Sequence, residues 1–148
     1  MNALKTVLDR ETSTITFRRT FVASREDVFD AWTDPEQLKL WWDPTGTPLS
    51  ECTVDLRPGG TFRFVNASSH APPFSGVYKV IERPSELAFD AMGAYGTVRL
   101  EADGQHTRMT VTIRCATPEA FDHFVTLGID TGTDQTLDNL VAHVTRKS

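Results

Sequence analysis

Cysteine is scarce in this chain: 148 residues contain two, Cys52 and Cys115, and no Cys-x-x-Cys. A disulfide scaffold needs more, so the thiols read as reduced and buried. Long apolar runs are missing too. None approaches the roughly 20 residues that cross a bilayer, and Met1 to Ser13 lacks the apolar core of a signal peptide. The expectation is a cytoplasmic protein with no membrane partner. Cations do not dominate: 15 Lys and Arg face 20 Asp and Glu, a net charge of −5, with a pI near 5.3. That balance argues against nucleic acid or an anionic membrane surface as the partner.

The motifs of chemistry are also missing. His70, His106, His123 and His143 fall in no HExxH or HxH spacing, and no cysteine stands three residues from any of them. No metal ligand set is readable. There is no phosphate loop and no dinucleotide fingerprint, and Ser68-Ser69 and Ser75 lack a nucleophile-elbow context. The pattern implies no cofactor and names no catalytic group. Asp130, Asp134 and Asp138 recur every four residues and read as one solvated helix face. His106 and His143 also read as solvated.

What is present is enough apolar material, 39% of residues, for one sizeable core. Residues 1–13 read as a loose lead-in and 14–148 as a single domain. Ile15, Phe17, Arg19 and Phe21 alternate with polar residues as in a strand. Ser24 caps a helix carrying Val28, Phe29, Ala31 and Trp32. Asp34-Pro35 ends it and starts a second helix, which stops near Trp42. Six strands follow a loop at 43–50: 52–56, 61–65, 75–81, 86–92, 97–102 and 106–114. Pro58-Gly59 fits the centre of a type II turn, Gly93 with Gly96 marks another turn, and Asp103-Gly104 a two-residue hairpin. Strands joined by short turns run antiparallel, so the sheet has seven. Thr117-Pro118 opens a last helical segment. Phe121, Phe124, Val125 and Gly128 lie on one side of it, and Leu137, Leu140, Val141 and Val144 on a side rotated by roughly 150°. That drift predicts a break between Leu127 and Gly132.

Trp32-Thr33-Asp34-Pro35, the pair Trp41-Trp42, Asp55-Leu56-Arg57-Pro58-Gly59-Gly60, Phe74-Ser75-Gly76-Val77-Tyr78 and Gly132 with Gln135-Thr136-Leu137-Asp138 stand in a distinctive order. Over residues 14 to 146 the chain resembles the Aha-type family. These are homologues of the C-terminal domain of the heat-shock-protein-90 ATPase activator, within the SRPBCC (START-related, helix-grip) superfamily. The resemblance implies an α+β fold in which a seven-stranded curved antiparallel sheet wraps a long C-terminal helix, with two short helices after the first strand. It also implies a cavity between sheet and helix. Many relatives carry Trp after the helix glycine, where this chain has Thr133, and Gly-Pro where it has Asp43-Pro44.

The candidate cavity lining is Phe29, Trp41, Phe62, Phe64, Phe74, Tyr78, Phe89, Met109, Phe124, Gly128 and Gly132. The large residues share strand faces with period two. Met109 shares its face with Val111 and Ile113. Gly76, Gly128 and Gly132 withhold bulk where a packed core would want it. Tyr78, Tyr95 and Arg63 are the candidate polar handles. Trp41 and Trp42 are set about 100° apart on a helix end, so one can be buried while the other caps the cavity mouth or stays at the surface, and a structural role for both is equally open. Three functions compete: a binder of a small hydrophobic or aromatic molecule for transport, sensing or sequestration, a cyclase or aromatase of the polyketide kind, and a co-chaperone that activates a heat-shock ATPase. The binder is preferred because a cyclase needs an ionisable group in the cavity and the sequence shows none. A homodimer stays open, and a heat-shock chaperone partner has only the family resemblance behind it.

Overall fold

The computed structural model describes residues 6–67 and 73–147; His70 and the Ser68-Ser69 pair lie outside them. The strands are β1 (Thr6–Asp9), β2 (Thr14–Phe21), β3 (Leu49–Val54), β4 (Thr61–Asn66), β5 (Phe74–Glu82), β6 (Glu86–Ala91), β7 (Ala94–Asp103) and β8 (His106–Cys115). They form one antiparallel sheet in the order β1-β2-β8-β7-β6-β5-β4-β3. The helices are α1 (Arg25–Thr33), α2 (Pro35–Trp41), α3 (Pro118–Thr126) and α4 (Ile129–Lys147). The α+β architecture is the one expected, with one more strand.

That extra strand, β1, lies in the segment read as a loose lead-in. It pairs with β2 from Thr6↔Phe17 to Asp9↔Thr14. Four residues, the last two of them exposed, are too few to show an alternation. β3 begins at Leu49, inside the expected loop. The β6–β7 turn is Met92-Gly93, not the Gly93–Gly96 stretch. Gly96 lies within β7 opposite Phe89, whose ring stands 2.6 Å from where a Gly96 Cβ would be. An aromatic ring across the ladder fills the place of the missing side chain, so this glycine does not break the strand.

The helix signals were accurate. Ser24 Oγ accepts the Asp27 N–H at 3.1 Å, Asp34 accepts from Glu36 N at 3.0 Å, and Thr117 accepts from Ala120 N at 3.1 Å. The C-terminal segment breaks at Leu127-Gly128, with Gly128 at φ +76°. Glycine tolerates that left-handed conformation without a Cβ penalty.

Two sets of contacts hold α4 against the sheet and α2. Arg19 takes an inward position of β2, between Phe17 and Phe21, and its side chain is 5% exposed. It donates to Asp134 Oδ1 at 2.9 Å and to Asp138 Oδ1 at 3.1 Å. Asp134 also accepts from Thr6 Oγ1. The aspartate stripe expected in solvent is therefore partly an ion-pair clamp, because a buried guanidinium needs its charge and N–H groups matched. At the other contact, Thr136 Oγ1 donates to the Trp42 carbonyl at 3.0 Å and Asn139 Nδ2 to the Asp43 carbonyl at 3.1 Å. His143, expected in solvent, is buried and bonds Gln37 Oε1 at 3.0 Å.

Candidate functional site

The tryptophan pair divides between the core and the cavity. Trp41 is 1% exposed and donates its indole N–H to the Ala31 carbonyl at 3.0 Å. Trp42 turns toward the sheet, with ring centroids 4.9 Å from Phe64 and 5.0 Å from Phe74. Trp32 packs edge-on against both tryptophans, at 5.1 and 6.4 Å. Phe62 joins Phe64, Phe74, Tyr78 and Phe89 within 5.7 Å. Tilted and edge-to-face ring pairs of this kind add roughly 0.5–1.5 kcal/mol each beyond area burial.

This aromatic block occupies the β3–β6 half of the covered face. Between it, the β7–β8 floor and the α3–α4 junction lies a partly open cavity of about 320 Å³. Trp32, Trp42, Phe74 and Phe89 wall one side, Ala94, Gly96, Val111 and Ile113 come from the floor, and Phe124, Gly128, Ile129, Gly132, Thr133, Thr136 and Leu137 come from the helices. Among the described residues, Asn66, Thr112, Thr133 and Thr136 are the polar side chains of the lining besides the two indoles, and none is Asp, Glu, His, Lys, Arg, Cys or Tyr.

Five of the expected lining residues meet there: Phe74, Phe89, Phe124, Gly128 and Gly132. Phe62, Phe64 and Tyr78 instead surround a second hollow of about 10 Å³. That is no more than one water would need, so these three are core. Phe29, Trp41 and Met109 do not line the large cavity. Met109 stands behind its wall, where its sulfur accepts the Trp32 indole N–H at 3.4 Å. The expected polar handles are elsewhere: Tyr78 is in the aromatic block, Arg63 pairs with Glu51 at 2.8 Å, and Tyr95 lies under Arg114.

The three glycines also separate. A Cβ on Gly76 would lie 2.2 Å from the Asp90 carbonyl oxygen, so close strand approach requires that glycine. Gly128 answers to its positive φ. A Cβ on Gly132 would meet nothing within 4 Å, so it alone of the three withholds volume from the cavity. Thr133, the position where the resembling family often carries Trp, lines the same space.

Asp43 anchors the loop beside the cavity. It is 3% exposed and accepts from Thr45 N at 2.8 Å, Thr45 Oγ1 at 2.6 Å and Asn66 Nδ2 at 2.8 Å. Burial pushes its carboxyl up, but the hydrogen bonds from Thr45 and Asn66 outweigh that and hold it below the ordinary carboxylate value. A carboxylate only accepts, so it orients the Asn66 amide with its NH₂ toward Asp43. Away from the cavity, burial is the main cause raising the Tyr78 hydroxyl and the Cys52 thiol, the latter to about 11. Among the described residues no three His, Cys, Asp or Glu side chains cluster as a metal site would require. No helix among them is long and apolar enough to cross a membrane.

Residues 22–145 match the family described as Activator of Hsp90 ATPase homolog 1-like protein. The chain belongs to this family. Its fold is that of the helix-grip superfamily, and solved structures agree. Protein Ms6760 from Mycobacterium smegmatis superposes with a TM-score of 0.84 at 20% identity, covering 98% of this chain and 99% of that one. A protein from Arthrobacter aurescens gives 0.85 at 21%, covering 98% and 93%. Protein NE0264 from Nitrosomonas europaea gives 0.82 at 23%, covering 90% and 95%. At these identities the likeness establishes the fold alone. Curated proteins include no match.

Proposed function

We propose that this family member binds a small, uncharged, hydrophobic or aromatic molecule in the cavity between sheet and α3–α4, for transport, sensing or sequestration. One observation carries the reading: a hollow of about 320 Å³ whose lining, among the described residues, is apolar but for Asn66 and three threonines and includes no ionisable side chain. Interiors normally leave few voids larger than a water, and ligand pockets start near 300 Å³. A cyclase would need an acid or base at the reacting carbon, and among the described residues the lining offers Asn, Thr and Trp side chains but no acid or base. Activation of a heat-shock ATPase rests on the family's name and on no feature of this site.

Trp32 and Trp42 both touch the cavity, so their fluorescence reports occupancy. Titration with 1-naphthol should give saturable, one-to-one quenching. The matched anion 1-naphthoate should bind at least ~30-fold more weakly, because an unpaired carboxylate loses several kcal/mol of hydration on burial. A protein that shows no saturable response to neutral aromatics, or prefers the carboxylate, refutes the reading.

A further inference from the structure

We propose that Met92 is the rim of the cavity's opening and closes over an apolar, aromatic end of the bound molecule; this rests on the binding reading above. Of the described lining residues only Pro44 and Met92 are exposed, Met92 by 55%. A side chain that is at once half in solvent and part of the lining stands where the two meet. Met92 and Gly93 are the two central residues of the hairpin closed by Ala91 and Ala94, at φ 53° and 77°. Positive φ at both positions is the type I′ arrangement, which selects Asn, Asp or Gly. Gly93 fits that rule and Met92 does not.

The turn alone would be better served by Asn at 92, whose short side chain tolerates the left-handed region. Core packing does not require methionine there either, since most of it is exposed. Its position at the opening accounts for both facts: a long, flexible thioether can lie across an aromatic edge that a short turn residue would leave in water. Backbone strain kept at a ligand clamp is a recognised trade. The chemistry also orients the guest. Its apolar end lies toward Met92, and any hydrogen-bonding group lies toward Asn66, Thr112 or Thr133.

The test compares the parent with Met92→Asn and Met92→Leu, using 1-naphthol for affinity and stopped-flow tryptophan fluorescence for rates. Met92→Asn should melt at or above the parent temperature while binding roughly five- to tenfold more weakly, with the loss in the dissociation rate. Met92→Leu, which keeps an apolar cover, should stay within about twofold of the parent. Equal dissociation rates for parent and Met92→Asn would overturn the rim assignment alone. Absence of binding by the parent would overturn the binding reading and this assignment with it.

Discussion

Gly132→Leu should stabilise the protein and abolish ligand binding. Nothing lies within 4 Å of the position a Cβ would take, so the usual overpacking penalty has no neighbour to act on. Replacing glycine inside a helix recovers about 0.8 kcal/mol of propensity. Four added carbons, buried at about 0.8 kcal/mol each, contribute up to ~3 kcal/mol. Incomplete burial and lost rotamer freedom of ~0.5–1 kcal/mol reduce this, leaving a gain of about 2 kcal/mol. For a domain of this size the melting temperature should rise by roughly 4–8 °C. Calorimetry measures that shift, and 1-naphthol titration of the same sample should lose its saturable component. Gly128→Leu is the control: at φ +76° any side chain is strained, so it should lower stability by ~1–2 kcal/mol. A Gly132→Leu protein that melts below the parent, or still binds 1-naphthol, would refute the claim that this glycine holds the cavity open.

Gly59→Val should cost ~1–2 kcal/mol. At φ +84° with nothing within 4 Å of a Cβ the penalty is purely backbone, and an unchanged urea midpoint would reject the type II turn. Asp43→Ala should cost about 1–3 kcal/mol at pH 7 by stranding its Thr45 and Asn66 donors. Because the folded carboxyl is held below its ordinary value, Asp43 stabilises fully at neutral pH and loses that effect as pH falls through its folded pKa. The gap between variant and parent should narrow by pH 3, and a gap that widens would contradict the hydrogen-bond account. In a Cys115→Ser background, Cys52 at about 11 should react with Ellman's reagent at pH 8 roughly 100-fold more slowly than in the urea-unfolded chain. The unfolded thiol ionises first, so its contribution to stability declines from about pH 9 to 11; comparable labelling of native and unfolded protein would refute the burial.

The site was only partly legible in the sequence because lining a cavity is a property of packing between elements. Period-two alternation placed Phe62, Phe64, Phe74, Tyr78 and Phe89 on one face, but it does not say which rings interlock and which border a gap. That division depends on Trp42, which fills the space beside Phe64 and Phe74. Met92 was hidden because a methionine at the end of a strand pattern carries no turn signal. Gly96 carried a false one, since its partner ring lies across the ladder.

The sequence alone was enough for the local events: Ser24, Asp34 and Thr117 as caps, the Pro58-Gly59 turn, and a helix break between Leu127 and Gly132. The caps and the turn follow from bonds and torsions within a few residues, and the break from the drift of the apolar face along the segment. The family motifs added the helix-grip architecture. Tertiary structure alone decided that Arg19 clamps Asp134 and Asp138, that four residues of the lead-in extend the sheet, and that Gly132 faces empty space while Gly76 faces a carbonyl. These depend on distances between segments far apart in the chain, and local periodicity carries no information about such distances.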